Sequence, residues 1–309
     1  MSLLAFHDVV AVYHCNAWKD FVIEKIVPNA VVIPAHPRDS INSVLDRLSP
    51  NPCAMVLHLD VTDDSAFLPN REQLKARLIK QDIVLVNASK RDISKRRIQS
   101  TCSQIGLPFT LATPTGRSDE LVIVKTNLNC GGEPEQRLPA DIRSLLGIAK
   151  SNHRQYGSQS YAVLMRREVE RRAWRSKNVC IERFITNKAG RFYRSYRFGY
   201  HTVVSESSCS AIIKKMGYGL PRRNYYFEGD TPTGKARGES ILDIVRQTEK
   251  LSLALKIDFC AVDFVESDEG VRYACDINPT PYWGERNPAI ISWLRDGLKM
   301  MIDGINTGI

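Results

Sequence analysis

Short apolar runs and amphipathic stretches alternate along the first part of the chain. The runs at 8–13 (Asp-Val-Val-Ala-Val-Tyr), 30–33 (Ala-Val-Val-Ile), 54–59 (Ala-Met-Val-Leu-His-Leu) and 83–86 (Ile-Val-Leu-Val) read as buried strands. Helical spacing lies between them, at 40–48 and 71–80. This alternation predicts a small parallel α/β layer. No Gly-x-Gly-x-x-Gly follows the first run, so a dinucleotide fingerprint is missing.

A different pattern follows. A helical segment over 93–105 is closed by Gly106 ahead of Leu107-Pro108, a common stop. Residues 121–125 read as a strand running into Thr-Asn-Leu-Asn-Cys-Gly131-Gly132, and 161–164 and 178–185 as further strands. Helix-like spacing covers 140–149 and the charged 166–177. From 190 to 215 the chain is strand-rich, with Lys214 and Lys215 ending a strand at 211–213. The stretch from Tyr226 to Lys235, with its Gly, Thr and Pro, reads as a surface loop. A helix over 238–256 leads into two apolar runs flanking an acidic, glycine-containing turn, which is a hairpin signal, and a helix over 288–303 closes the chain.

With 309 residues, more than one subdomain is expected, and 43% hydrophobic and 25% charged residues are ordinary globular values. No window approaches the roughly 20 apolar residues of a membrane span. The N-terminus lacks the basic-then-apolar pattern of a signal peptide. Eight scattered cysteines without a CxxC pair fit a reduced, cytoplasmic protein. The net charge of +9 invites a nucleic-acid reading, but solvated helix faces explain most of it. Zinc-finger spacing and an aromatic RNA-binding pattern are both missing, so nucleic acid is the lesser reading. A homodimer is the default assembly.

Candidate chemistry concentrates in the acidic hairpin. Alternation puts Asp276 and Asn278 on one face and Cys275 and Ile277 on the other. With Glu269-Gly270 as the loop, Asp263 stands opposite Asp276. Facing carboxylates require something positive between them. Two carboxylates and an amide oxygen suit Mg²⁺, or Mn²⁺ in its place, with nucleotide phosphates completing the shell. An exposed turn explains Glu266, Asp268 and Glu269, but Asp263 and Asp276 lie inside apolar runs where unpaired carboxylates are costly. Lys125, last in an apolar strand, either contacts phosphate oxygens or snorkels to solvent. Gly131 and Gly132 either let backbone N–H groups approach phosphates or make a plain turn. Arg194 offers a planar guanidinium to phosphate or carboxylate, with Arg197 on the opposite face in reserve. Lys95 has close rivals in Lys90 and Arg96.

In order and spacing, Lys95, Lys125 with its glycine loop, Glu182, Arg194, Asp263, Asp276 and Asn278 resemble the ATP-grasp superfamily, over essentially the whole chain. That is the superfamily of D-alanine–D-alanine ligase, glutathione synthetase and the ribosomal-protein glutamate ligases. The resemblance implies an α/β (α+β ATP-grasp) fold: a small parallel α/β domain over 1–90, then two α+β subdomains over 91–185 and 186–309 with ATP between them. It implies that the Asp92-x-x-Lys95 helix brings one ATP lysine and that Val-Ile-Val-Lys125 leads into a flap at Gly131–Gly132. The Glu182-Arg183-Phe184 stretch would hold adenine, with Asn187 taking the place of a ribose carboxylate. Asp263, Asp276 and Asn278 would hold the metal. Two positions depart from the pattern: Asp276 stands where a Glu is usual, and Ala261 where some ligases carry Arg.

The implied activity is an ATP-dependent ligase with Arg194 and Lys125 as catalytic groups. It would activate a carboxylate as an acylphosphate and join it to an amine or thiol, releasing ADP and phosphate. The alternatives are an ATP-grasp kinase and a non-catalytic ATP-binding regulatory protein. The basic segment from Lys214 to Arg223 points to small-molecule or peptide substrates of anionic character. The tract from Tyr282 to Arg286 either lines the acceptor pocket or packs under the last helix.

Overall fold

A computed structural model describes residues 9–16, 20–48, 52–148, 161–213, 223–233, 239–282 and 286–307. Strands β1 (Val9–His14), β2 (Val31–Pro34), β3 (Pro52–His58) and β4 (Val84–Val86) form a parallel sheet in the order β2-β1-β3-β4. Helices α1 (Val22–Ile26), α2 (Ile41–Leu45) and α3 (Arg71–Ile79) connect them. Val10, Val12 and Val56 pack toward α1, while Ala11, Met55 and Leu57 pack toward α2 and α3. Both faces are covered, so these strands read as unbroken apolar runs.

Helix α4 (Lys95–Gln104) follows, and then a three-stranded antiparallel sheet, β6-β5-β7. Its strands are β5 (Leu121–Thr126), β6 (Tyr161–Met165) and β7 (Val179–Arg183). Helices α5 (Glu133–Arg137) and α6 (Ala140–Leu145) lie between β5 and β6. Leu138 and Ile142 join the core of the N-terminal layer. The charged stretch expected as one helix over 166–177 is a short turn and then α7 (Arg171–Arg175). Between the two, Val169 adopts an extended conformation (φ −76°, ψ 120°) and is buried under β5 and β7.

The largest sheet is antiparallel, ordered β11-β10-β9-β8-β12-β13. It contains β8 (Arg191–Phe198), β9 (His201–Ser208), β10 (Arg223–Glu228), β11 (Thr231–Pro232), β12 (Phe259–Glu266) and β13 (Arg272–Asn278). The surface loop expected over 226–235 is thus half strand: Tyr226 and Phe227, both strand-favouring, pair with Val203 and Thr202. No strand forms at 211–213; β9 ends at Ser208, and Lys214 and Lys215 lie outside the described residues.

Helices α4 and α8 (Glu239–Ala254) cover one face of this sheet, where Ile98, Cys102, Ile244 and Leu251 meet Val262, Phe264 and Ile277. Helix α9 (Pro288–Thr307) lies between the other face and the N-terminal sheet, since Leu294 and Leu298 share a core with Phe198, Phe259, Val12 and Val56. Asn87 ties the same two layers together. At φ 57°, which Asn tolerates, its Oδ1 accepts the N–H groups of Asp258 and Phe259 at 2.8 and 3.0 Å. Among the described residues no helix is long and apolar enough to cross a membrane.

Gly297 sets the approach of α9. A Cβ there would stand 2.4 Å from the Phe198 carbonyl oxygen and 2.9 Å from the His201 Cβ. Alanine would gain about 1 kcal/mol of helix propensity. Overpacking against backbone costs about 1–3 kcal/mol and wins. Gly297→Ala is therefore expected to lower the urea midpoint, whereas an unchanged or raised midpoint would mean that α9 slides freely on the sheet.

Candidate active site

Strand β12 reads Phe-Cys-Ala-Val-Asp-Phe-Val-Glu, so Cys260, Val262 and Phe264 enter the core under α4 and α8. Asp263 shares the opposite face with Phe259 and Ala261, beyond the point where α9 covers them. Its cross-strand neighbours are Arg194 on β8 and Asp276 on β13, as the facing-carboxylate reading expects. The route to that register differs from the expected two-residue loop. Ser267 donates its N–H to the Val271 carbonyl at 2.8 Å, so the loop is Asp268-Glu269-Gly270, with Gly270 at φ 80°. A bulge at Cys275 then restores the pairing. Cys275, expected to point away with Ile277, is instead the bulge's extra residue, half-buried and within the fields of Lys125, Asp263 and Asp276.

Each of the two carboxylates has its own cation. Arg194 grips Asp263 in a fork, Nε to Oδ1 at 2.7 Å and Nη2 to Oδ2 at 2.8 Å. The buried Lys95, arriving on the first turn of α4, reaches Asp276 Oδ2 at 3.0 Å. Burial opposes the Lys95 charge, but the charge and hydrogen bond of Asp276, together with Tyr161 and Cys130, hold the ammonium above the usual lysine range. Lys95 is thus separated from its rivals. Lys90 is buried in the N-terminal layer against Asp64 at 2.8 Å, and Arg96 donates to the carbonyls of Ser176 and Val179. Arg197 faces the other way and pairs with Glu249 on α8 at 3.3 Å.

Lys125 completes the basin. Only 6% exposed, it bonds Glu182 Oε1 at 2.7 Å. Burial pulls its pKa down, the Glu182 carboxylate pushes it up, and Lys95 pulls it down again, leaving it raised and the group charged. Glu182 Oε2 accepts the Thr110 hydroxyl at 2.7 Å, Thr110 N–H donates to Gln99 Oε1 at 2.8 Å, and Gln99 donates to the Ala274 carbonyl at 2.8 Å. A buried polar chain therefore runs from the small sheet through α4 to β13. Two ammonium groups, a guanidinium and three carboxylates thus converge at one end of the large sheet.

No protein-family model matches the sequence, and no curated protein matches it. Solved structures do. The ATP-grasp ligase PsnB, complexed with a minimal precursor, aligns over 95% of this chain and 99% of its own at 12% identity, with a TM-score of 0.50. The VanG D-Ala:D-Ser ligase from Enterococcus faecalis aligns over 96% and 99% at 11% identity, TM-score 0.45. An L-amino acid ligase from Bacillus licheniformis aligns over 96% and 74% at 10% identity, TM-score 0.48. The chain has the ATP-grasp fold.

Within that fold the remaining expected residues take varied places. Asn278 Oδ1 accepts from the Thr280 N–H at 2.9 Å, one strand step past Asp276. Asp276 Oδ1 is buried and has no hydrogen-bond partner among the described residues. That orphaned oxygen, with Asp263 and Asn278 beside it, fits a hard divalent ion that takes few protein ligands. Each Asp263 oxygen keeps a second lone pair beyond its Arg194 bond.

Gly131 and Gly132, expected as a covering flap, form an anchored left-handed turn with Cys130 (φ 45°, 71° and 82° for Cys130, Gly131 and Gly132). The preceding Asn129 N–H donates to the Thr62 hydroxyl at 2.8 Å. Glu182 lies beneath Lys125, and the N–H groups of Arg183 and Phe184 are taken by the carbonyls of Thr110 and Leu121 at 2.7 and 3.0 Å. Asn187 folds back on the Arg191 carbonyl at 2.7 Å, closing the turn before β8 beside the hairpin tip. Of the tract from Tyr282 to Arg286, residues 283–285 lie outside the described residues. Tyr282 packs edge-on against Phe21 at 5.2 Å.

Residues that the sequence reading passed over also stand here. Tyr161 is the ladder partner of Lys125 and lies in the fields of Lys95 and Asp276. The Cys130 thiol lies among Asp276, Lys95, Asp60 and Glu135. Tyr161 carried a weak signal as the first residue of a strand; Cys130 carried one as the residue before Gly-Gly.

Proposed function

We propose that this protein is an ADP-forming ligase that joins a carboxylate to an amine. The observation that carries the reading is the row Arg194–Asp263–Asp276–Lys95, two acids and two cations on adjacent elements of an ATP-grasp fold, with Lys125 alongside. The substrate carboxylate attacks the γ-phosphorus of ATP, the bridging P–O bond breaks, and ADP leaves an acylphosphate. The amine then attacks the acyl carbon, loses a proton, and phosphate departs. Lys95 and Lys125 each spend one of three ammonium donors on a carboxylate, which leaves donors for phosphate oxygens. Arg194 is placed to stabilise charge on the transferring phosphoryl group and on the tetrahedral intermediate. Asp263, Asp276 and Asn278 would hold Mg²⁺, which supplies charge neutralisation on phosphate oxygens when bound.

An ADP-release screen against pooled carboxylates and amines tests this. The expected result is ADP formation that needs both an acid and an amine and stops when EDTA removes the divalent ion. A stable phosphorylated acid without any amine requirement would make the protein a kinase. An intact ATP pool across the whole screen would make it a binding protein.

A further inference from the structure

Open parallel sheets form a ligand crevice at the carboxyl ends of their strands, where the strand order reverses. In the N-terminal layer that point lies between β1 and β3, with β2 outside one and β4 outside the other. Both strands end in histidine, and His14 and His58 are register partners. His14 Nδ1 lies 2.7 Å from the His58 carbonyl oxygen and 3.1 Å from the His58 Nδ1. Burial, then His14 and Lys90, hold the His58 imidazole well below its usual range, so it is neutral.

The wall beside them is acidic. Asp60 and Glu135 are each 5% exposed. Asp60 Oδ1 accepts the Thr280 hydroxyl at 2.8 Å, and Glu135 Oε1 accepts the Thr62 N–H at 2.8 Å. Glu135 Oε2 is buried without a hydrogen-bond partner among the described residues. Among the described residues the nearby cations are paired with other acids. Lys90 and Arg71 hold Asp64 at 2.8 and 3.0 Å, and Arg137 pairs with Glu133. Burial pushes the Asp60 carboxyl up to about 6 and the Glu135 carboxylate adds to this, while the Thr280 hydroxyl and the more distant Lys90 and Arg137 pull it down. Among the described residues no cation forms an ion pair with Asp60 or Glu135, and Lys90 and Arg137 act on Asp60 only at a distance. Burying two such carboxylates is costly, and a cationic ligand in contact offsets that cost.

The crevice adjoins the phosphate end of the basin. The Thr280 hydroxyl is also 3.0 Å from Asn278 Oδ1, and the Cys130 thiol feels Asp60 and Glu135 together with Asp276 and Lys95. A hard divalent ion takes one or two carboxylates and completes its shell with water, so it is the competing occupant that the test below separates. An ammonium needs only three acceptors. We infer that the crevice between β1 and β3 is the acceptor site, and that Asp60 and Glu135 hold a primary ammonium group there. This rests on the ligase reading for the word acceptor; the binding claim stands on the two buried carboxylates and the unpartnered Glu135 Oε2.

The test is thermal-shift titration of the full chain with three probe sets at matched concentration: L-amino acid amides, N-acetyl amino acids, and MgCl₂ alone. Wild type, Asp60→Asn and Glu135→Gln are compared; both variants are isosteric and keep the oxygens that accept from Thr280 and Thr62. Binders are expected only among the amides, with affinity falling at least tenfold in each variant. The inference is overturned if no amide raises the melting temperature, if N-acetyl acids bind as well, or if the variants bind the amides like wild type. It is also overturned if MgCl₂ alone stabilises wild type and both variants lose that effect, which would make the acids a metal site. Should a variant fail to fold, the amide and N-acetyl arms on wild type decide alone. A Mg-ATP arm on wild type is read separately: no response there with intact amide binding removes the ligase reading and leaves the pocket.

Discussion

Replacing Lys125 with Met is expected to cost the fold about 3–5 kcal/mol, because it leaves a buried carboxylate without its cation. Glu182 is 3% exposed and bonds the Lys125 ammonium at 2.7 Å. Its other oxygen is fixed by Thr110, which is in turn fixed by Gln99. The carboxylate therefore cannot swing to water without breaking a chain that reaches β13. The double variant Lys125→Met/Glu182→Gln removes both charges and keeps an acceptor for the Thr110 hydroxyl, so it should be more stable than Lys125→Met alone. Denaturant unfolding of the four proteins in the cycle measures the coupling. A single-variant loss below about 1 kcal/mol would mean that water already reaches Glu182. Lys125 would then be the snorkelling lysine that the strand-end position also allows.

The parallel layer and the acidic hairpin were legible because their signals are local. A strand buried on both faces has to be largely apolar, as β4 is and as β1 and β3 are up to the histidines that end them. A carboxylate inside such a run, as at Asp263, announces a partner. The pairing of Asp263 with Asp276 came out right through two offsetting features. The loop holds one residue more than expected, and the bulge at Cys275 absorbs it; a single inserted residue leaves almost no trace in a hydrophobic pattern. Lys90 and Lys95 look alike in sequence, and only the fold separates the one buried on Asp64 from the one that meets Asp276. Asp60, Glu135 and Thr280 were invisible for a different reason. Asp60 and Thr280 bond across 220 positions, and nothing local to either announces the other. The expected single helix over 166–177 failed because burial of Val169 outweighed the helix propensity of its charged neighbours.

Arg194→Met is expected to lower ADP formation about 10³-fold, the scale on which a positioned cation or oxyanion donor acts in phosphoryl and acyl transfer. Arg194→Lys should recover little of it, because a lysine has one point charge where Asp263 is held by a two-pronged fork. The same substitution has a second readout that needs no substrate. Without the guanidinium, Asp263 faces Asp276 across the ladder, and among the described residues Lys95 is the cation that still bonds the pair. Like charges directly opposite destabilise a sheet, so the variant should melt below wild type in EDTA. Magnesium alone should then raise its melting temperature more than it raises that of wild type, since a divalent ion between the two carboxylates supplies the charge that was removed. If magnesium moves both proteins equally, the two aspartates do not share an ion, and Asp263 serves only to orient Arg194. If ADP formation survives Arg194→Met within tenfold, the transferring phosphoryl group is stabilised by the two lysines instead.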